Sequence, residues 1–203
     1  YAYDNDELLT TAGSLVINRN ATTARVADTD IGDVTDQWTY NSFGEVTGYE
    51  LKYLTTTLYS YTLTRDDLGR VTAKTEYDGA SNSYDYVYDS AGRLIEVEKN
   101  SSAYSDYEYD DNSNRDAGTH AGTAFTAVYD AQDRLTDYNL FDFTYNKAGE
   151  LTGKTNTLTS ETWAYVYDVF GNLRSVTLPN TDVISYEADG FNRRVTRKVN
   201  GTV

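Results

Sequence analysis

Carboxylate side chains give this chain its greatest capacity for chemistry, since its 203 residues include 32 Asp and Glu against 17 Lys and Arg. Asp110-Asp111-Asn112 and Asp28-Thr29-Asp30-Ile31-Gly32-Asp33 offer the oxygen ligands that calcium prefers. Neither cluster follows the spacing of an EF-hand loop or of the nonapeptide of calcium-binding β-rolls. A carboxylate pair is also the catalytic device of glycosidases. However, most Asp residues recur at regular intervals, which indicates a structural role. We therefore expect no metal, no cofactor and no catalytic residue.

Other catalytic side chains are scarce. His120 is the single histidine, and its small and polar neighbours in Ala117–Thr123 predict a solvated loop. Cysteine is absent, which excludes disulfides, thiol nucleophiles and thiolate metal sites. The sequence contains no nucleophile elbow, no His-Glu-x-x-His and no phosphate-binding glycine loop. The chain is therefore not expected to be an enzyme.

The recurring Asp residues belong to one repeated phrase: two alternating aromatics, Asp or Asn, two variable residues, Gly, a polar residue, then Leu or Val. The clearest copies are Tyr86–Leu94, Phe143–Leu151, Tyr165–Leu173 and Trp38–Val46. Weaker copies begin at Tyr3, Arg65, Tyr109, Tyr129 and Ala188. The Gly position falls at 7, 44, 69, 92, 113, 133, 149, 171 and 192. A period in this range is typical of repeat architectures, in which neighbouring units stabilise one another.

Each copy predicts a β-hairpin. Alternating aromatics such as Tyr84, Tyr86 and Tyr88 lie on one face of a strand. The Asp or Asn accepts backbone hydrogen bonds, and the Gly supplies the positive φ of a type I turn closed by a G1 bulge. Glu7 and Ser113 tolerate that φ poorly, so we expect their turns to be distorted. The residues assigned to this structural motif are Tyr40, Asn41, Gly44, Asp66, Gly69, Tyr88, Asp89, Gly92, Tyr129, Asp130, Tyr145, Asn146, Gly149, Tyr167, Asp168 and Gly171.

The pattern extends over residues 1–203 and predicts a single array of about nine repeats. Its weakest part is 1–36, where Leu15–Arg19 and Thr22–Val26 are the expected strands of a hairpin that has lost its signature. Residues 111–123 are expected to form the longest flexible loop. Both ends of the sequence fall inside the repeat pattern, which favours a fragment of a longer protein.

Aromatic residues have two interpretations. The twenty tyrosines suit pleated strands on which neighbouring hairpins align their rings. The alternative is an aromatic platform for glycans, for which Trp38 and Trp163 are the candidate contacts. Both tryptophans occupy strand positions that hold tyrosines in other copies, so packing between hairpins is the favoured explanation for them as well.

Net charge restricts the partners. A charge of −15 and an isoelectric point near 4.3 argue against nucleic acid and favour a cationic partner. The sequence contains no apolar run long enough for a transmembrane helix, and we expect no membrane insertion.

The motif Tyr-Asp-x-x-Gly-Arg-Leu of Tyr88–Leu94, repeated about 21 residues apart, resembles the YD repeats of the Rhs family. That family includes bacterial Rhs polymorphic toxins, the B and C components of insecticidal toxin complexes and the YD shell of teneurins. Ala188–Val195 is similar to the Tyr-Asp-Gly-x-Gly-Arg-Arg-Val variant found late in Rhs arrays, with Ala188 replacing Tyr and Asn192 replacing Gly. The resemblance implies a β-sheet that spirals into a hollow shell. The aspartyl self-cleavage segment and toxin domain of Rhs toxins are not recognisable in this sequence.

These observations predict an all-β fold of tandem β-hairpin YD repeats that form a curved continuous antiparallel sheet, and the resemblance implies that this sheet is a segment of a spiralling hollow shell. The function that the resemblance implies is structural: the wall of an Rhs-like secreted or cell-surface protein around a C-terminal toxin or other polypeptide cargo. Its expected partners are further YD repeats of the same chain and the enclosed cargo. An extracellular glycan-binding or adhesin module is the alternative.

Overall fold

The computed structural model describes residues 1–203 and contains twenty β-strands and no helix. The chain consists of two compact units, Tyr1–Asp106 and Tyr107–Val203. The strands are β1 (Ala2–Tyr3), β2 (Leu9–Ala12), β3 (Leu15–Arg19), β4 (Val26–Ile31), β5 (Val34–Tyr40), β6 (Val46–Tyr53), β7 (Thr56–Arg65), β8 (Val71–Tyr77), β9 (Ser81–Tyr88), β10 (Leu94–Lys99), β11 (Ser102–Tyr109), β12 (Arg115–His120), β13 (Thr123–Tyr129), β14 (Leu135–Tyr138), β15 (Phe141–Tyr145), β16 (Leu151–Asn156), β17 (Thr162–Tyr167), β18 (Leu173–Thr177), β19 (Val183–Ala188) and β20 (Arg194–Val199).

Strands that follow one another in sequence pair with one another, and each of these pairs is antiparallel. In the first unit the ladder runs from β1 to β11. In the second unit it runs from β12 to β20. Such a meander needs only short connections, so Gly, Asn and Asp at the turns suffice to build it. The prediction of an all-β fold of tandem antiparallel hairpins is confirmed.

A β-bulge marks the strand end beside each motif turn. In the first unit the register shifts between Thr39 and Tyr40, and in the second between Thr144 and Tyr145. The extra residue accommodates the positive φ that closes the turn, as expected for a G1 bulge. The bulge therefore keeps the apolar side chains of both strands on the same face of the sheet.

The two faces of the first unit differ in chemistry. Trp38 pairs with Tyr49, which pairs with Tyr61, and these rings define what we call the aromatic face. One residue further along, Thr39 pairs with Gly48, on what we call the polar face. Alternation of side chains along each strand separates the two faces.

The second unit repeats this division. Phe143 pairs with Lys154, which pairs with Trp163, on its aromatic face. On its polar face Thr144 pairs with Gly153. The same two-sided pattern therefore recurs more than a hundred residues later in the chain.

Few side chains are fully enclosed. The buried apolar residues are Val97, Tyr107, Phe125, Ala127 and Val176, and Ser105 is the buried polar one. No side chain is less than 2% exposed. The units therefore depend on strand pairing and on contacts between neighbouring aromatic rings more than on a deep hydrophobic core.

Two local expectations were wrong. Residues 111–123 are not a flexible loop, because β12 (Arg115–His120) and a tight turn with positive φ at Ala121 and Gly122 lie within them. The second strand of the degenerate hairpin begins at Val26, whereas Thr22–Val26 was expected. The polar composition misled in both places, because strands with a solvated face accept Thr, Asp and Gly.

Candidate functional site

The turns along one edge of the hairpins are the feature that the motif residues build. In the clearest copy, the Asp89 N–H donates to the Arg93 carbonyl (2.9 Å) and the Gly92 N–H to the Asp89 carbonyl (3.0 Å). The Asp89 Oδ1 accepts the N–H groups of Ala91 and Arg93 at 2.9 and 2.8 Å. Gly92 has a φ of 83°. One carboxylate thus satisfies the backbone donors that the turn would otherwise leave to water.

The other motif residues lie in equivalent positions. The same closing bonds recur at the turns that start at Asn41, Asp66, Asp130, Asn146 and Asp168. Gly44, Gly69, Gly149 and Gly171 all have positive φ, between 79° and 87°. Because a β-carbon is strained there, glycine is the favoured residue.

The turns at Glu7 and Ser113 were expected to be distorted, and this was wrong. The Ser113 N–H donates to the Asp110 carbonyl at 3.0 Å, and the Glu7 N–H donates to the Asp4 carbonyl at 3.2 Å. Their φ values are 70° and 62°. The leading Asp supplies the same side-chain bonds as elsewhere, so it offsets the strain of a non-glycine residue.

In the motif turns other than that of Asp4, whose fifth residue is Leu8, the first and fifth residues form a second, side-chain clasp. Where the first residue is Asp, an Arg or Asn donates to it: Arg93 Nε lies 2.7 Å from Asp89 Oδ2. Where the first residue is Asn, the roles reverse, and Asn41 Nδ2 donates to Glu45 Oε2 at 2.7 Å. The same clasps close the turns of Asp66 with Arg70, Asp130 with Arg134, Asn146 with Glu150, Asp168 with Asn172 and Asp189 with Arg193.

These clasps lower the pKa of the aspartates. The Arg70 guanidinium, with help from backbone N–H groups, holds the pKa of Asp66 below its usual value. At Asp89 the backbone N–H of Arg93 is the largest cause, and its side chain adds to it. The carboxylates of Asp130, Asp168 and Asp189 have lowered pKa values for the same reasons. Each therefore remains ionised as a hydrogen-bond acceptor, which is a structural and not an acid–base role.

In several copies the motif tyrosine fastens its hairpin to the preceding one, but the Tyr167 hydroxyl makes no such bond. The Tyr88 hydroxyl donates to the carbonyl of Val71 (2.7 Å), the residue that follows Arg70 of the turn before it. Equivalent bonds join Tyr40 to Val26, Tyr129 to Arg115 and Tyr145 to Leu135, at 2.8, 3.0 and 2.8 Å. Arg65, which stands where other copies have Tyr, places its guanidinium 3.4 Å from the equivalent carbonyl of Val46.

Arginine reinforces the same junction. The Arg70 guanidinium lies over the Tyr88 ring with its Cζ 4.7 Å from the ring centroid. Arg134 lies over Tyr145 at 5.1 Å in the same way. Arg70 therefore binds Asp66 of its own turn and the Tyr88 ring of the next, which links consecutive hairpins through one side chain. The motif turn and the junction between hairpins therefore share the same side chains.

Sequence reasoning missed a further copy of this arrangement. The Ala24 N–H donates to the Asn20 carbonyl and the Asn20 N–H to the Arg25 carbonyl, both at 2.9 Å. Ala24 has a φ of 58°. Arg19 occupies the tyrosine position, with its guanidinium 3.5 Å from the carbonyl of Leu9. The unusually wide gap between positions 7 and 44 was the signal for this hidden turn.

The opposite edge holds a second set of residues that sequence reasoning missed. Asn100, Asn139 and Asn200 have φ values of 52°, 54° and 49°. The Asn100 Oδ1 accepts the N–H of Ser83, in the adjacent strand β9, at 2.8 Å, and the Asn100 N–H donates to the Ser83 carbonyl. Asn139 and Asn200 make the same pair of bonds to Thr126 and Val183. A turn asparagine thus fixes the other end of each of these hairpins, where it extends the pairing of the two strands.

The two candidate glycan contacts lie among other rings. Trp38 is half-buried, and its ring centroid lies 5.1 Å from that of Tyr49. Trp163 is also half-buried, 6.3 Å from Phe141, and the Lys154 ammonium lies over both rings. Ring contacts and a cation–π contact therefore account for both positions.

A linked trio of titratable groups lies on the aromatic face of the first unit. Glu76 Oε1 accepts hydrogen bonds from Lys74 Nζ and from the Tyr59 hydroxyl, both at 2.7 Å. Lys74 and then Tyr59 lower the pKa of Glu76, and the bond to Glu76 raises the pKa of Tyr59. Glu76 therefore stays ionised and Tyr59 stays protonated, so the trio holds its strands together without a group poised for proton transfer.

His120 and the acidic clusters occupy structural positions. His120 ends strand β12, where a loop was expected, and its Nδ1 lies 2.9 Å from the Tyr107 hydroxyl. The Asp110 carboxylate is committed to its own turn, through the N–H groups of Asn112 and Asn114. Across residues 1–203, no group of three or more His, Asp or Glu is arranged to hold a metal ion.

Comparison with known proteins decides the family. The sequence model of the Teneurin YD-shell family matches residues 1–203. The chain belongs to the Teneurin YD-shell family. It is 27% identical over 165 residues to Teneurin-1 of Mus musculus, covering 78% of this chain and 6% of that protein. The resemblance of Tyr88–Leu94 to YD repeats is thereby confirmed.

Solved structures agree on the fold of this YD-shell chain. The crystal structure of TcdB2-TccC3 superposes with a TM-score of 0.58 at 12% identity, over 92% of this chain and 12% of that chain. The Photorhabdus luminescens Tc holotoxin pore structure gives 0.57 at 16% identity, over 90% and 13%. The chain is therefore a shell-forming YD-repeat segment that spans a small part of these proteins. No helix long and apolar enough to span a bilayer is present.

Proposed function

We propose that residues 1–203 form part of the wall of a shell that encloses another polypeptide. The enclosed polypeptide is a C-terminal toxin or other cargo, and the whole protein is secreted or lies at the cell surface. The observation that carries this proposal is the tyrosine-to-carbonyl bond, which fastens Tyr88 to Val71 and recurs at Tyr40, Tyr129 and Tyr145. A wall that grows by one repeated junction can be extended by further YD repeats of the same protein. In this role the chain encloses the cargo and catalyses no reaction.

Charge supports a basic cargo. The chain carries a net charge of −15. On the polar face of the first unit, Glu98 pairs directly with Asp85 and Glu96 with Asp106. Like charges opposite one another destabilise a sheet, and a cationic polypeptide at this face offsets that cost.

Protection of the cargo from protease tests the proposal. In the full-length protein that contains residues 1–203, the polypeptide C-terminal to the repeats should resist trypsin at a dose that degrades the same polypeptide alone. A Tyr88→Ala/Tyr145→Ala double variant removes two inter-hairpin junctions and should restore cleavage. A matched Val87→Ala/Val128→Ala double variant changes two exposed side chains and should keep the protection.

Two results would overturn the proposal. One is cargo that trypsin cleaves equally fast inside the intact protein and alone. The other is protection that survives the double tyrosine variant although circular dichroism shows that the strands have melted.

The glycan-binding alternative is tested by a glycan array. Both tryptophans keep part of their surface accessible, which leaves a platform possible at Trp38 and at Trp163. A specific ligand that is lost on Trp38→Ala or Trp163→Ala, with the melting temperature unchanged, would establish the adhesin function. The ring and lysine contacts of both residues favour the wall.

A further inference from the structure

In the second unit, one inter-hairpin junction lacks its tyrosine altogether. Ala188 stands directly before Asp189, where other copies carry Tyr88, Tyr129 or Tyr145. An alanine methyl has no group to donate to the preceding hairpin. The carbonyl that would accept the missing tyrosine hydroxyl is that of Leu173. Leu173 follows Asn172, the fifth residue of its turn, just as Val71 follows Arg70.

A pocket of about 420 Å³ lies at this position. Its lining includes Ala188 and Leu173, the two residues of the open junction, together with the rings of Tyr167 and Tyr186. A cavity of about 150 Å³ is enough to admit benzene, so this one accommodates a single aromatic ring. By its sequence position, a tyrosine at 188 would line this pocket, as Tyr129 lines the corresponding pocket beside Arg115.

The walls of the pocket are held in place. Arg194 also lines the pocket, and its guanidinium lies over the Tyr186 ring, with Cζ 3.9 Å from the ring centroid. Asn172 Nδ2 donates to Asp168 Oδ2 at 3.1 Å and to Asn192 Oδ1 at 3.2 Å, which joins the two turns beside the pocket. The surroundings thus combine ring faces, a cation and a carbonyl acceptor, a set that suits a phenol.

We propose that this pocket binds the side chain of a tyrosine presented by another polypeptide, whose hydroxyl donates to the Leu173 carbonyl. The ring takes the space that Tyr88 fills in its own repeat, and Arg194 and Tyr186 contact it. The occupant is specified by the junctions of the other repeats, in which a tyrosine hydroxyl donates to the equivalent carbonyl. The assignment does not depend on cargo enclosure, because it is measured on the chain alone.

Titration with p-cresol, the side chain of tyrosine, tests the assignment. Followed by NMR, p-cresol should shift the Ala188 methyl and the Leu173 carbonyl carbon, with a Kd on the order of 1 mM for so small a ligand. Toluene, which lacks the hydroxyl, should bind several-fold more weakly and leave the Leu173 carbonyl unshifted.

Two alanine variants complete the test. Ala188→Tyr supplies the missing ring from the chain itself, so it should abolish the p-cresol shifts and raise the melting temperature. Ala164→Tyr, on an exposed position of the polar face, should leave both the binding and the melting temperature near those of the parent. Absence of shifts at Ala188 and Leu173 up to 20-fold above that Kd, or equal shifts in Ala188→Tyr, would overturn the proposal.

Discussion

At the scale of single residues, the side chains of the YD motif combine two tasks. Asp66 accepts the backbone donors of its turn and fixes Arg70, and Arg70 then covers the Tyr88 ring. The tyrosine completes the circuit through the Val71 carbonyl. A change at any of these positions therefore affects both a turn and the junction to the next hairpin.

Removing one hydroxyl should weaken a junction measurably. Tyr88→Phe keeps the ring beneath Arg70 but deletes the donor to the Val71 carbonyl, so the free energy of unfolding should fall by about 1 kcal/mol. Urea denaturation measures the change. Tyr1→Phe, at a 90% exposed position, is the control and should have no effect. A Tyr88→Phe variant as stable as its parent would show that the bond contributes nothing net.

Turn glycines should resist β-branched substitution. Gly92 has a φ of 83°, so Gly92→Val should lower the free energy of unfolding by about 1–2 kcal/mol. Gly190 lies in a motif turn without a positive φ and with nothing within 4 Å of an added Cβ, so Gly190→Ala is the mild control. Equal melting temperatures for Gly92→Val and its parent would contradict the role assigned to the turn.

At the scale of elements, cross-strand partners decide stability more than burial does. Trp38, Tyr49 and Tyr61 form a row of rings across β5, β6 and β7 on the aromatic face. On the polar face of β9 and β10, Asp85 lies directly opposite Glu98. The first arrangement stabilises its strands and the second destabilises them.

Reversing one charge in β10 should stabilise the chain. Glu98→Lys converts the repulsion with Asp85 into attraction, so the free energy of unfolding should rise by about 0.5 kcal/mol at low salt. Asp67→Lys, in an exposed turn, changes the net charge equally and is the control. If both variants gain the same stability, net charge and not strand pairing is the cause.

At the scale of the whole molecule, the turn aspartates set the acid limit of stability. Asp66, Asp89, Asp130, Asp168 and Asp189 all have a pKa lowered by folding. Each contributes stability that is complete above the unfolded value, near pH 3.9, and is lost as the pH falls through the lower folded value. The melting temperature should therefore drop below about pH 4.

A melting series from pH 7 to pH 2 measures this effect. Asp89→Asn removes one of these groups, so its melting temperature should depend less steeply on pH below 4. If the melting temperature instead rises as the pH is lowered to 3, the loss of excess negative charge stabilises the fold more than the protonation of the turn aspartates destabilises it.

The sequence by itself determined the repeat, the hairpins and the two faces. A turn of Asp89-Ser90-Ala91-Gly92 type is a local structure, and alternation such as Tyr84, Tyr86 and Tyr88 assigns a strand face from neighbours in the chain. The same locality explains two errors: the φ preference of Ser113 taken alone predicted a distorted turn, and the polar composition of residues 111–123 hid the strand Arg115–His120.

Only the tertiary structure decided what joins one hairpin to the next. The bond from Tyr88 to Val71 spans 17 residues, and the equivalence of Arg65 and Arg19 to tyrosine is visible only through the carbonyls that they reach. Likewise, only the folded chain brings Ala188 and Leu173 together in the wall of one pocket. These contacts depend on strand pairing between distant residues, and no local pattern encodes which backbone carbonyl a side chain will meet.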